Sequence, residues 1–442
     1  MADNFSSPYS YYFTKAEISA DRFDDVYDIT EAISELNIHE HIDKPYLTGT
    51  LAIIDTVDFL NTIDFSGTEF FEVGYCLQDK TDVIIEKRFV ITERIVSEKV
   101  NDNSELIFFA IVEDIYFQQA KSIITKSFDG KPEAIMSKLL AEAEIDRELN
   151  STISSQSTMR YLVPSINAFD AARVIRDKST DTIGTPYFFF SSLSPRKRMN
   201  FLSLAQMILD EPINTVDQAF TYSHLLAQKS ESLNIEIQSY NISAFSESKV
   251  DNTLKQVLNG SIGSIQNYTN LTNQREITFR MNLLQQYVTI AEMFPNSYNK
   301  LYDDKFMGGL HNFNSVNDSR LFFSQQYSDH INSIHDQEFE GDFSKIRFAE
   351  NLRDLIMKSP ITIEVPGRKF ITDTDKVCVG NMMHMRFSKN IVPLGDNISE
   401  YDIYDSKKSG LYLIYAAQHT FSRTKYSVNV TGTKLMNTEG NN

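Results

Sequence analysis

His39, His41 and Asp43 fall on one face of an expected strand, with Asn37 ahead of them on that face. Two histidines at positions i and i+2 can share a zinc ion once further ligands arrive. No cysteine or third histidine stands nearby in sequence to complete such a site, so these side chains read better as a polar strand face lining a solvent channel or a subunit contact. His419 sits in the long run from Leu411 to Phe421, where a hydrogen bond within a barrel or at a subunit contact is its expected task. With 60 Asp and Glu side chains, two at the spacing of a glycosidase pair would arise by chance, and no local motif singles out a pair. Gly260, Gly263, Gly308 and Gly309 make neither a phosphate loop nor a dinucleotide fingerprint, and there is no nucleophile elbow. No catalytic residue, metal site or cofactor is expected, and the chain is not read as an enzyme.

The charge balance narrows the partners. Forty-two basic against 60 acidic side chains give a formal net charge of −18. Binding a nucleic-acid backbone draws most of its affinity from a basic face, so no stable nucleic-acid binding is expected. The one dense basic cluster, Arg196, Lys197 and Arg198, follows the turn residues Ser194 and Pro195 and reads as a solvated hairpin tip. Cys76 and Cys378 lie far apart in apolar strand-like runs, which fits reduced, buried thiols. The start, MADNFSSPYSYYF, lacks a cationic segment followed by an apolar core, and no apolar run is long enough to span a bilayer. A soluble chain made in the cytosol, with no membrane binding, is the expectation. Tryptophan is absent while Tyr and Phe number 21 and 31, a composition suited to β-rich packing and subunit contacts.

The elements that position these residues can be read along the chain. Tyr46 to Val73 gives a strand, a turn into a short helix, a glycine turn and another strand. In its first strand Leu47, Gly49, Leu51 and Ile53 face one way and Thr48, Thr50, Ala52 and Ile54 the other, as suits a strand covered on both sides. Asp55 stands at the N-cap of one or two helical turns over 57–61, and Ser66 and Gly67 break the run before Glu69. Further extended runs cover Ile29–Ile42, Glu69–Leu77, Val83–Val96 and Leu106–Val112, so residues 1–118 predict an antiparallel barrel. Residues 119–215 form an α+β connector, with a helix around Ile135, Leu139 and Ala143 after Pro132 and another over Ala168–Lys178 after Asn167. A hairpin of Pro186–Ser191 and Met199–Leu204 follows, then helical Ala205–Leu209.

Beyond residue 216 the chain is polar, with strands expected over Leu233–Ile242 and Ile277–Leu283 and a loop marked by Gly308, Gly309, Asn312, Asn314 and Asn317. A helix over Phe343–Met357 precedes strands at Ile361–Val365, Cys378–Phe387, Leu411–Phe421 and Tyr426–Val430, whose order partly echoes the first block. The division is therefore 1–118, a first tube-like barrel; 119–215, the connector; 216–250 with 345–437, a second tube-like barrel; 251–344, a loop-rich inserted domain; and 438–442, a tail. The fold class is α+β, mainly β.

PYLTGTLAIIDT followed by FSGTEF resembles the first tube-like domain of the baseplate central hub of contractile-tailed phages of the T-even type. PYFFFSSLSPRKRMNFLSLAQMILDEP resembles the connector hairpin shared by such hubs and the N-terminal half of type VI secretion spike proteins. The last helix, ITIEVPGRKF, VCVGNMMHMRF and LYLIYAAQHTFSRTKYSVNV resemble the second tube-like domain. The similarity runs over nearly the whole chain in the family's order, each piece being a pattern rather than a fixed signature.

The resemblance implies a structural homotrimer, located in the virion baseplate after assembly in the host cytoplasm. Two tube-like domains per subunit would make a pseudo-sixfold ring between a sixfold tail tube and a threefold central spike. Its partners would be further copies of itself, the spike, tube or tube-initiator proteins and baseplate wedge proteins, with genomic DNA only in transit through the channel. A negative lumen would repel phosphate and let DNA pass. Tyr46, Leu47, Thr48, Gly49 and Asp55 match the hub's first strand and turn, Gly67 and Glu69 its glycine-acid step, and Gly410, Tyr412 and His419 its second module. These carry over as structural or interface residues, with turn geometry or close strand approach as the plainer role of the glycines. A tailocin or type VI-like machine fits the same pattern; a cell-wall hydrolase would need an assignable acid pair, and a trimeric glycan-binding adhesin would need aromatic platforms and a fibrous repeat.

Overall fold

The computed structural model describes residues 7–436 apart from 23–25, 57–64, 102–103, 118–120, 122, 152–157, 194–196, 224–234, 249–262, 271–274, 283–320, 327–338, 357–359, 372–377, 390–402, 406–407 and 424. The helix expected over 57–61, the start of the basic tip, the 308–317 loop and the 438–442 tail lie outside these residues.

The first strand set contains β1 (Tyr11–Ser19), β2 (Tyr27–Asp28), β3 (Ile33–His41), β4 (Thr48–Asp55), β5 (Phe70–Leu77), β6 (Lys80–Asn101) and β7 (Ser104–Glu113). Period-two alternation decides which side is buried: Leu36 and Ile38 of β3 and Leu51 and Ile53 of β4 point into the core, while Asn37, His39, Thr48 and Thr50 stand half-buried on the other face. Strand β1 was not among the expected strands. Its YYFTKAEIS carries charge on the exposed face, and antiparallel pairing with β5 orders it.

The connector holds β8 (Ile123–Ile124), β9 (Ser127–Gly130), α1 (Pro132–Glu142), β10 (Glu148–Asn150), β11 (Met159–Leu162), β12 (Ile166–Asn167), α2 (Ala168–Lys178), β13 (Tyr187–Ser191), β14 (Arg198–Ser203) and α3 (Leu204–Leu209). Pro132 opens α1, and the Asn167 side chain accepts the Asp170 amide at 2.8 Å to cap α2, as the sequence predicts. The helices bury Ile135, Met136, Leu139, Phe169, Ala172 and Ile175 in a core of the connector's own. The aromatic run of β13 is explained by two burials. Tyr187 and Phe189 enter the connector core, whereas Phe188 and Phe190 enter the main core.

The remaining elements are β15 (Phe220–Tyr222), α4 (Ile235–Gln238), β16 (Ala244–Glu247), β17 (Gly263–Asn270), β18 (Arg275–Asn282), β19 (Leu321–Gln326), α5 (Phe339–Ile356), β20 (Ile361–Pro366), β21 (Met382–Phe387), β22 (Gly410–Ser422) and β23 (Lys425–Met436). The strand expected over Leu233–Ile242 is corrected: within it Ile235–Gln238 is a helical turn, closed by the Ser239 amide on the Ile235 carbonyl at 2.9 Å. Alternating apolar residues misled there because Ile237 is left exposed rather than packed in a sheet. Cys378 precedes its expected strand, which starts at Met382 after a turn through Gly380. The inserted segment carries a small sheet in the order β18-β17-β19.

Among the described residues, strands from both ends of the chain share one sheet of 13 strands, along the path β16-β20-β23-β22-β3-β4-β7-β6-β5-β1-β2, with β21 attached to β22 and β15 to β21. The joint is β22 against β3, antiparallel, with Ala416–Ser422 facing His41–Glu35. A single apolar core runs from Ile18 and Phe71 of the first set to Val365 and Val428 of the second.

Candidate functional site at the strand-set seam

The seam between β3 and β22 has two faces of different chemistry. On the outer face, cross-strand register sets Val112, Thr48, His39, Gln418, Asn429 and Glu364 in one row and Ala110, Thr50, Asn37, Thr420 and Ser427 in the next. Asn37 Oδ1 accepts from Thr420 Oγ1 at 2.7 Å and Gln418 Nε2 at 3.1 Å, so hydrogen bonds between uncharged side chains cross the seam. Burial holds the His39 and His41 imidazoles below their ordinary pKa, which keeps both rings neutral at pH 7. His41 Nδ1 accepts the Asp43 amide at 3.1 Å, and Asp43 itself pairs with Arg176 at 3.2 Å. Among the described residues no group of three His, Cys, Asp or Glu side chains could hold a metal ion.

The inner face is aromatic. Phe421 stacks on Tyr426 with centroids 4.3 Å apart, and Tyr75, Phe13 and Tyr11 of the first set close around them. Gly367 is required beneath this stack, since a Cβ there would lie 2.1 Å from the Tyr426 ring. One polar chain crosses the apolar seam. His419 Nδ1 meets the Tyr426 hydroxyl at 2.8 Å, and its Nε2 lies 3.1 Å from Glu40 Oε1, close enough to attract though not aligned as a hydrogen bond. Glu40 Oε1 also accepts the Leu193 amide of the connector at 2.9 Å. Tyr, His and Glu in that order suggest a proton relay, but all three are at most 2% exposed, so no substrate reaches them.

The connector docks through charge. Arg147 lies 2.9 Å from Asp114 and 3.5 Å from Glu113, whose Oε2 takes the Leu47 amide at 3.0 Å. Lys87 donates to the Ser192 carbonyl at 3.1 Å, and burial pushes its ammonium pKa down against the opposing pull of Glu113. Asp177 of α2 binds Arg176 at 2.8 Å and Arg353 of α5 at 2.7 Å, while Arg353 also donates to the Tyr187 carbonyl. Helix α2 is thereby pinned to the end of β3 on one side and to α5 on the other.

The residues singled out from sequence divide between these regions. Tyr46 packs on Tyr116 and on Phe169 of α2, Leu47 bonds Glu113 through its backbone, and Thr48 stands in the outer row. At Gly49 an added Cβ would come within 2.2 Å of the Asn37 carbonyl oxygen, so close strand approach is its role. Asp55 is the buried last residue of β4. Gly67, at φ +82°, turns the chain so that the buried Glu69 carboxylate accepts the amides of Ser66, Gly67 and Thr68 and pairs with Arg22. Gly410 opens β22 opposite Met385, and the buried Tyr412 hydroxyl donates to the Lys408 carbonyl. Burial raises the Tyr412 phenol pKa. Of the ten, only Thr48, Gly49 and His419 meet at the seam.

Sequence reading missed Glu40, Tyr426, Lys87, Arg147, Asp177, Arg353 and Gly367. One signal was present: Glu40 occupies an inward register position between Ile38 and Ile42, where a lone carboxylate demands a partner.

The sheet, its seam and the docked connector define a mainly β, α+β scaffold. The same fold is found in phage tail proteins. Over 96% of this chain and 97% of the other, the structure matches a tail protein from Neisseria meningitidis MC58 with a TM-score of 0.52 and 12% sequence identity. It also matches the 43 kDa tail protein of prophage MuSo2 from Shewanella oneidensis, at a TM-score of 0.51 and 8% identity, over 96% and 98% of the two chains. No known protein family matches the sequence, and no curated protein does.

Proposed function

We propose that this chain is the structural hub of a contractile phage-tail baseplate. Three copies form a pseudo-sixfold ring that adapts a sixfold tail tube to a threefold central spike, and DNA passes through the channel. The observation that carries this reading is the β3–β22 seam: strands from both ends of the chain continue one sheet, so a single subunit can span two sixths of a ring. Nearly full-length likeness in fold to two tail proteins supports it.

In this reading residues 1–118 and 216–250 with 345–437 are the two tube-like units, 119–215 the connector and 251–344 a peripheral insert. The outer rows through Thr48, His39, Gln418 and Asn429 face the channel, where uncharged polar side chains give phosphate no cation to hold. The hub acts by assembly rather than turnover, with spike, tube and wedge proteins as partners in the virion. Light scattering coupled to size-exclusion chromatography should give three chain masses, and negative-stain imaging a ring with a central hole. A monomer at every concentration, persisting on co-expression with a candidate spike, would end this reading.

A further inference from the structure

Glu40 has an unusual division of labour between its carboxylate oxygens. Oε1 serves two clients from different parts of the molecule, the Leu193 amide at the end of the connector hairpin and the His419 imidazole of β22. Oε2 is buried with no hydrogen-bond partner. Leaving one oxygen of a buried carboxylate unpaired while the other is shared is costly, because each unmade bond forfeits the desolvation of that group. Around it stand Tyr75 of β5, Tyr426 of β23, Cys378 before β21 and Lys87 of β6, with His39 and His41 on the opposite face of its own strand. Burial raises the Tyr75, Tyr426 and Cys378 pKa values, so these groups remain neutral.

We propose that Glu40 is a coupling residue that links the position of the connector hairpin to the spacing of the β3–β22 seam, through the contact chain Leu193–Glu40–His419–Tyr426. Turning the carboxylate about its last bond would give each client its own oxygen, so two discrete arrangements are available where a rigid apolar contact would offer one. The end of β13 is held nearby by a second bond, from Lys87 to the Ser192 carbonyl. A displacement at the connector therefore reaches the seam through a side chain, without unfolding either strand set. This inference concerns motion within one subunit and does not require the trimer.

The test is hydrogen exchange at the Leu193 amide in the full chain, read by fragmentation mass spectrometry. His419→Ala, distant in sequence from the hairpin, should speed that exchange at least about tenfold, and Tyr426→Phe, which removes only the hydroxyl that orients His419, by a smaller factor. Leu36→Ala, a truncation in the same seam whose partner across it is Phe421 rather than His419, should leave Leu193 protected at matched global stability. If Leu36→Ala exposes Leu193 as much as His419→Ala does, or if neither chain variant changes it, the coupling does not exist. Should His419→Ala fail to fold, Tyr426→Phe against Leu36→Ala decides the matter alone. The mass of the assembly, measured on the same samples, keeps failure of the trimer separate from failure of the coupling.

Discussion

At the seam, β3 and β22 face each other through backbone pairing, backed by the Phe421–Tyr426 stack and crossed by a single buried carboxylate. At the connector dock, the first strand set meets the connector through Arg147 with Glu113 and Asp114, Lys87 with Ser192, and Asp43 with Arg176. Both regions are largely buried. Apolar burial is non-directional and involves no charge for salt to screen, whereas buried charges fix geometry and punish the loss of a partner. The seam is thus built to be permanent, and the dock to be specific in position.

Substitutions can break this contrast at graded cost. The largest effect is expected from Gly49→Val, because the clash of its Cβ is with the backbone carbonyl of Asn37, which no side-chain rearrangement relieves. A loss above about 4 kcal/mol, or failure to fold, is expected, and near-normal denaturant stability would show that β3 and β4 can part at low cost. Next, Phe421→Ala should cost about 3–5 kcal/mol by opening a cavity in the seam core. Its urea midpoint should fall equally at low and high salt.

Arg147→Met should cost about 3 kcal/mol by leaving the Glu113 carboxylate buried without its cation. Unlike the seam variant, it should be partly rescued by keeping the charge, so Arg147→Lys should cost less than Arg147→Met, and equal losses in denaturant unfolding would show that the dock is not ionic in effect.

A fourth test uses pH. Burial pushes the Glu69 carboxyl up, but bonds from the Ser66 amide and hydroxyl and from Arg22 outweigh it and hold the group below its ordinary value. Its stabilisation is therefore complete above the ordinary carboxylate pKa of about 4.3 and is lost as pH falls through the lower folded value. Glu69→Gln should cost about 1–3 kcal/mol at pH 7 and almost nothing in acid, so unfolding curves of the two proteins should converge as pH falls. The smallest effect belongs to Asp79, whose bond to Arg368 ties the two sets on the surface. Asp79 is 38% exposed, so solvent screening holds Asp79→Ala to less than about 1 kcal/mol, and a larger loss in thermal unfolding would move weight from the seam core to its rim.

Much of the secondary structure was legible in local signals. Asn167 before an amphipathic run fixed α2, Pro132 fixed the start of α1, and period-two alternation found β4 and β7. Gly49 was singled out with a turn or close strand approach as its plainer role. The failures are as physical: alternation at 233–242 was mistaken for a strand because a short helical turn can carry the same apolar spacing, and β1 was overlooked because its charged face hides the alternation. Of the site, His419 was expected to make a hydrogen bond within a barrel or at a subunit contact, but neither Tyr426, which it meets at 2.8 Å, nor Glu40 was singled out.

By itself the sequence determined the fold class, most of the longer strands and helices and the connector hairpin with its apolar flanks, because propensity, capping and periodicity act over a few residues. Only tertiary structure decided that Glu35–His41 would lie beside Ala416–Ser422, that one oxygen of Glu40 would accept the Leu193 amide and lie 3.1 Å from His419, and that Phe188 and Phe189 would enter different cores. Those choices depend on strand register between segments hundreds of residues apart, where a shift by one residue would turn every inward side chain outward, and no local pattern encodes that pairing.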